Sequence, residues 1–219
     1  MWTLFIMETT GLKEEPVYKK AISYVDKARA ARLDSMRQDG RKVQSFAAGL
    51  LLSFSLEKYV SEEAKQGICQ ASVAQVLEEL KSKEFLKIRQ CSIAKTELGK
   101  PYFTDCPDMY FNLSHSGDYV VCVISDEEVG VDIQKWKEPV KESLIKRVLH
   151  EKEQGFFFDI WAAKEAYSKC TGQGLLKDMR QLKCDFANGK IEDTLTGTSK
   201  QLYLPKILDG YSVAVCVDR

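Results

Sequence analysis

Val129-Gly130-Val131-Asp132-Ile133-Gln134 alternates as a β-strand does. Val129, Val131 and Ile133 take one face, and Gly130, Asp132 and Gln134 take the other. A carboxylate in the middle of so apolar a strand is costly to bury unless it is paired or liganded. The i, i+2 spacing sets Asp132 beside the amide oxygen of Gln134, two oxygen donors of the kind that suit Mg²⁺. An aspartate that ends a strand or caps a neighbouring helix accounts for the segment equally well. Working outward, Tyr110–Leu113 and Tyr119–Ile124 also read as strands. Turn chemistry at Ser114–Asp118 and Ser125–Glu128 would join all three into one meander.

The flanks alternate helix and strand. Met1–Met7 reads as a first strand rather than a signal peptide, since no basic residue precedes its short apolar run. Asp26 is a fitting N-cap for a helix over 27–38, Asp39-Gly40 breaks it, and a second helix follows over 41–59. Its apolar residues Val43, Phe46, Ala47, Leu50, Leu51 and Phe54 recur at three- and four-residue steps. A third helix is expected over 72–81 and a strand over 86–94. Beyond the meander, helices are expected over 140–149 and 151–170, the second stopped by Gly172, and strands over 181–187, 201–204 and 211–217. The fold class is therefore α+β. Two similar subdomains are expected, an N-terminal one over 1–115 and a C-terminal one over 116–219 carrying the metal site, joined near the turn at 114–118.

The chain has 219 residues, 44% of them hydrophobic, with 32 basic and 32 acidic side chains. These proportions exclude wholesale disorder and fibrous repeats. Zero net charge leaves no global field to hold nucleic acid or an anionic membrane, so any anion site must be a local basic cluster. The longest apolar stretch, Phe46–Leu56, is shorter than the about 20 residues that span a bilayer. Seven cysteines without a C-x-x-C pair read as buried thiols of a reducing, cytoplasmic protein rather than a disulfide frame or a zinc site.

Four further segments carry candidate chemistry. In Trp161-Ala162-Ala163-Lys164-Glu165-Ala166-Tyr167-Ser168-Lys169, Trp161, Glu165 and Lys169 share a helix face, with Lys164 and Ser168 on the adjacent row. An ordinary surface pair between Glu165 and Lys169 would be worth only about 0.3–0.5 kcal/mol. The apolar run 156–161 before it makes a site the better reading. Asn112-Leu113-Ser114-His115-Ser116-Gly117 gathers donors that could hold a phosphate in a turn, although a surface turn histidine explains it as simply. Gly99-Lys100-Pro101 places a lysine in a rigid turn. Lys27, Arg29, Arg32, Arg37, Arg41 and Lys42 form a basic set, some of it on solvated helix faces.

In this order, Gly99-Lys100-Pro101, Asn112–Gly117, Gly130–Ile133 and Trp161–Leu175 resemble the Sfp-type 4′-phosphopantetheinyl transferases. The resemblance implies two α+β subdomains related by a pseudo-twofold, with coenzyme A as co-substrate in the cleft between them. It implies transfer of the phosphopantetheine arm to a serine of an acyl or peptidyl carrier protein, with release of adenosine 3′,5′-bisphosphate. It implies Mg²⁺ held by Asp132, Gln134 and Glu165, catalysis by Asp132, Glu165 and Lys169, and coenzyme A contacts from Arg41, Lys42, Gly99, Lys100, Pro101, Asn112, Ser114, His115, Lys164 and Lys169. Gln134 departs from the glutamate many members carry, and Gln44 and Ser45 from a frequent arginine. A monomer is expected, with no nucleic-acid or membrane partner. A coenzyme A- or carrier-binding homologue without efficient transfer, or an Mg²⁺-dependent phosphohydrolase, would use the same residues. Lys135-Trp136-Lys137 and the helix bearing Lys141, Lys146 and Arg147 are candidates for the carrier surface.

Overall fold

The computed structural model describes residues 1–12, 15–37, 40–63, 66–83, 86–150, 153, 155–174 and 178–218. The expected breaker Asp39 and the final Leu175 of the quoted motif lie outside them. The chain is α+β and divides into two compact units, one of residues 1–94 and 101–126, the other of 95–100 and 127–219. No helix among the described residues is long and apolar enough to cross a membrane.

The first unit is built on β1 (Trp2–Glu8), whose interior residues Leu4 to Met7 are buried. It is followed by α1 (Glu15–Ala21), α2 (Lys27–Ser35), α3 (Gly40–Val60), β2 (Gly67–Ala71), α4 (Val73–Ser82), β3 (Ile93–Lys95), β4 (Pro101–Phe103), β5 (Tyr110–Ser116) and β6 (Tyr119–Ser125). The main sheet runs β2-β1-β6-β5, with β2 parallel to β1 and the other pairs antiparallel. Asp26 caps α2 by accepting from Arg29 N at 2.8 Å, as its sequence position suggests. Ser72 and Gln75 close a capping box on α4. The 21-residue α3 lies against the sheet and buries Phe46 through Glu57. Its two inward serines stay satisfied by donating back to the helix, Ser53 to Gly49 O at 3.1 Å and Ser55 to Leu51 O at 2.6 Å.

The second unit comprises β7 (Val129–Lys135), α5 (Glu142–Val148), α6 (Phe157–Thr171), β8 (Leu182–Asp185), β9 (Lys190–Asp193), β10 (Thr198–Tyr203) and β11 (Tyr211–Val217). Its sheet is antiparallel in the order β7-β11-β10-β9-β8. The largely buried α6 packs on β7 and β11 through Ala162, Ala163, Ala166 and Cys170. Gly130 makes this contact possible. A Cβ there would stand 2.1 Å from Ala166 O and 2.3 Å from Cys170 N. The missing side chain is what lets the helix backbone rest on the strand.

Several expectations are corrected. β5, β6 and β7 do not form one meander. The outer edge of β6 is taken by β1, with Phe5 opposite Cys122, so β7 pairs instead with β11, Asp132 opposite Ala214. The division consequently falls after Asp126, not between residues 115 and 116. The strand expected over 86–94 is a 3-10 turn at Lys87–Arg89 followed by the short β3, because Lys87 N is drawn to the carboxylate of Glu57. Of the helix expected over 151–170, residues 151, 152 and 154 lie outside the described residues; α6 starts at Phe157, after Gly155 at φ 143°, a backbone angle no α-helix accommodates. Strands β2, β4 and β9 were not foreseen. Of the seven cysteines, Cys122, Cys170 and Cys216 are buried and the other four only half-buried.

Gly130→Ala should destabilise the protein by about 3 kcal/mol or more, since backbone atoms rather than a flexible side chain oppose the new methyl. A urea unfolding midpoint within error of the parent's would refute this account of β7–α6 packing.

Candidate functional site

The approach of β7 to α6 brings the chemistry of the second unit together. Asp132, next but one to Gly130 on the same face, is 3% exposed. Its Oδ1 accepts from Lys169 Nζ at 2.6 Å and its Oδ2 from Gln134 Nε2 at 2.6 Å. Lys169 also donates to Val131 O at 3.1 Å. One turn back along α6, Glu165 accepts from Trp161 Nε1 at 3.4 Å. Burial, and then the charge of Asp132, push the Glu165 carboxyl above its ordinary value; Lys169, Trp161 and Arg147 act in the opposite direction. The stripe Trp161–Glu165–Lys169 read from the sequence is therefore real, and its two charged members meet Asp132 from β7.

Carboxylate oxygens of this kind suit a hard divalent cation. Burial and the charge of Asp132 make Glu165 costly to ionise, and the Lys169 ammonium partly offsets this. Gln134 differs from expectation in its orientation. Its amide nitrogen, not its oxygen, faces Asp132, so in this arrangement it holds the carboxylate rather than standing beside it as a second oxygen donor.

Two lysines expected at coenzyme A occupy other places. Lys164 is fully buried and donates to Val148 O at 2.8 Å and to the buried carboxylate of Glu153. Glu153 in turn accepts from His150 N and Cys184 N, both at 3.1 Å. An ammonium so enclosed ties α6 to the segment after α5 and to β8, and is not presented to a ligand. Lys100 donates to Cys170 O at 2.6 Å and pairs with Glu128, its stem lying over Gly172, which ends α6 at φ 69°. A cation on the last carbonyls of a helix satisfies both the free acceptors and the helix dipole. Gly99, at φ 90°, lets the turn before Lys100 form, and Pro101 begins β4.

The remaining predicted residues lie in the first unit. Asn112, Ser114 and His115 are not in a turn: β5 continues through Ser116, and the turn is Gly117-Asp118. Asn112 and Ser114 share one strand face and are buried, whereas His115 points to the other and is exposed. The three do not converge as a single cradle on β5. Gln44 Nε2 donates to Gly117 O at 3.2 Å, which sets the amino end of α3, with Arg41 and Lys42, against the turn that follows His115. Lys42 Nζ lies 4.7 Å from the centre of the Tyr18 ring.

One functional network escaped sequence reasoning altogether. Trp136 Nε1 donates to Ser212 Oγ at 3.0 Å, Ser212 donates to Asp159 Oδ1 at 2.6 Å, and Lys206 pairs with Asp159 Oδ2 at 2.6 Å. It anchors the first turn of α6 to the ends of β7 and β11. Partners 53 and 76 residues apart leave no local signal.

Residues 128–216 match the family model of the 4′-phosphopantetheinyl transferase superfamily. The chain is 30% identical over 135 residues to the 4′-phosphopantetheinyl transferase Sfp of Bacillus subtilis strain 168, covering 55% of this chain and 60% of that protein. It is 34% identical over 95 residues to a second Bacillus subtilis 4′-phosphopantetheinyl transferase, covering 38% of this chain and 42% of that one. A mouse L-aminoadipate-semialdehyde dehydrogenase-phosphopantetheinyl transferase is 30% identical over 122 residues, 47% of this chain and 40% of its own. The chain thus spans roughly half the length of the curated relatives it matches.

The raised proton affinity of Glu165 has a consequence for stability. Between the ordinary glutamate value, about 4.3, and the raised folded one, the native protein holds a proton that the unfolded chain has lost. Stability therefore falls as pH rises through that window. Glu165→Gln, which never ionises, should raise the urea midpoint at neutral pH, with the gain vanishing below about pH 4. A variant no more stable than the parent at neutral pH would contradict the assignment.

Proposed function

We propose that this chain, a relative of the Sfp-type 4′-phosphopantetheinyl transferases, moves the phosphopantetheine arm of coenzyme A to a serine hydroxyl of an acyl or peptidyl carrier protein. Adenosine 3′,5′-bisphosphate is the second product. The observation that carries the reading is the meeting of Asp132, Glu165 and Lys169 across the β7–α6 contact. Glu165, made more basic by burial and by Asp132, takes the proton of the attacking serine. Lys169 stands one turn away, an ammonium able to donate to the departing phosphate oxygen as negative charge accumulates there. Asp132 and Glu165 would hold Mg²⁺, with Gln134 keeping the Asp132 carboxylate in place. When bound, Mg²⁺ supplies charge neutralisation at the pyrophosphate. The family resemblance, rather than any contact in the structure, assigns Arg41, Lys42 and His115 to the nucleotide phosphates. Lys164 and Lys100 act on α6 itself.

For the carrier, exposed aromatic surface with a basic rim suits an acidic helix beside the accepting serine. Trp136 and Phe156 are exposed and pack ring to ring at 4.8 Å. Lys141 and Lys146 on and before α5 are exposed nearby in sequence, Lys146 holding Glu142 only loosely at 3.7 Å. Arg147 also acts on Glu165, so reversing it would confound recognition with catalysis.

Intact-mass measurement of an apo carrier protein incubated with this protein, coenzyme A and Mg²⁺ should show addition of one phosphopantetheine. The gain should disappear with EDTA, and Glu165→Ala should slow it by about 10²–10⁴-fold. Coenzyme A binding without mass gain on several carriers would favour a binding homologue. Hydrolysis of the pyrophosphate without a carrier would favour a phosphohydrolase. Lys141→Glu with Lys146→Glu should raise the carrier KM and leave coenzyme A binding unchanged; an unaltered carrier KM would remove this surface from the proposal.

A further inference from the structure

We propose that Cys91, Asp105 and Cys106 form a binding site for one thiophilic divalent cation, Zn²⁺, at the open end of the β3–β4 hairpin. It shares no residue with the Asp132–Glu165 cluster and does not rest on the transferase reading. The hairpin ladder continues past both strands: Thr104 N donates to Ser92 O at 2.9 Å, and Ser92 N donates to both oxygens of Asp105 at 3.1 and 3.0 Å. That pairing sets residue 91 across from residues 105 and 106. Two thiol sulfurs and a carboxylate oxygen consequently lie within 4.8 Å of one another. Tetrahedral zinc, with bonds of about 2.3 Å to sulfur and 2.0–2.2 Å to oxygen, needs its ligand atoms about 3.5–3.8 Å apart. A contraction of about 1.3 Å at most, within reach of side-chain rotation, closes the site.

The surroundings favour a cation. The groups that face Cys91, namely Cys106, Asp105 and Glu57, are all acidic. Binding exchanges two thiol protons for one Zn²⁺, and the charge balances. Glu57 contributes charge rather than a ligand atom, since its carboxylate is engaged by Lys87 N. The Ser92 amide fixes the Asp105 carboxylate, as outer-shell donors fix the ligands of metal sites. Two sulfurs select Zn²⁺ over Mg²⁺. The carboxylate distinguishes the cluster from a disulfide pair, which has no use for it and whose thiolate it would disfavour. Three protein ligands leave the fourth position to water. The sequence shows no C-x-x-C spacing because the hairpin, not local proximity, joins the cysteines. Such a site departs from the sequence reading of the cysteines as buried thiols rather than a zinc site.

The test uses the whole chain, reduced and freed of metal, then titrated with micromolar Zn²⁺ and, separately, Co²⁺. Native mass spectrometry should show one zinc gained with two protons lost, and Co²⁺ should give a thiolate-to-metal charge-transfer band in the near ultraviolet. Cys91→Ser with Cys106→Ser should abolish both signals, Cys69→Ser should keep them, and Asp105→Asn should weaken affinity by about tenfold or more. Affinity should fall with decreasing pH as protons compete for sulfur. Absence of zinc uptake by the parent chain would overturn the proposal, as would a charge-transfer band that survives the double substitution. A chain isolated two hydrogens lighter, with Cys91 and Cys106 blocked to thiol reagents, would overturn it in favour of a disulfide. Should the double variant fail to fold, the parent titration and Asp105→Asn decide.

Discussion

A carboxylate buried beneath a helix governs the arrangement of the second unit. Asp132 is almost wholly removed from water, and an unpaired charge in such a place costs several kcal/mol. Gly130 lets α6 come close enough for Lys169 to reach that carboxylate, and Gln134 covers its other oxygen. The same closeness burdens Glu165, which shares the helix face with Lys169 and feels Asp132 without a full counter-charge of its own. A site short of positive charge, with one carboxyl kept basic, is the physical outcome.

The helix that bears Glu165 and Lys169, α6, is secured along its whole length. Asp159, Ser212, Trp136 and Lys206 fix its first turn. The buried pair of Lys164 with Glu153 fixes its middle. Lys100 and Gly172 finish its last turn. Lys164 and Lys100 thus hold the helix that bears Glu165 and Lys169, and their charges have a structural reason.

The first unit applies comparable economy to α3. Its apolar face covers the sheet, its buried serines bond to their own helix, and Gln44 reaches the β5–β6 turn. At Gly49 a Cβ would stand 2.4 Å from Arg29 Cδ, so this glycine admits the Arg29 side chain, which is itself held by Asp26 and Ser45 O. Some of the basic set is thereby used within the fold. Arg41 and Lys42 lie at the amino end of the helix beside the turn, with Lys42 over the Tyr18 ring.

The α+β class, α3, α4, the strand β11 and the stripe on α6 were legible in the sequence because each depends on local periodicity and capping. Asp132 was legible as a problem, a charge inside an apolar strand, and its spacing from Gln134 was correctly seen. Strand partnership was not legible. β7 follows β6 in the chain, but the free edge of β6 belongs to β1, more than a hundred residues earlier. Nor could the sequence separate lysines that hold the helix from the lysine that meets Asp132. Lys164 and Lys169 stand five residues apart on one helix, and the direction each faces is set by what the sheet and the preceding segment bring alongside. The sequence by itself determined which residues carry charge, and which faces must be buried, because those follow from side-chain chemistry and backbone period. Only the tertiary structure decided which charges meet, because pairing depends on contacts between segments that no local pattern encodes.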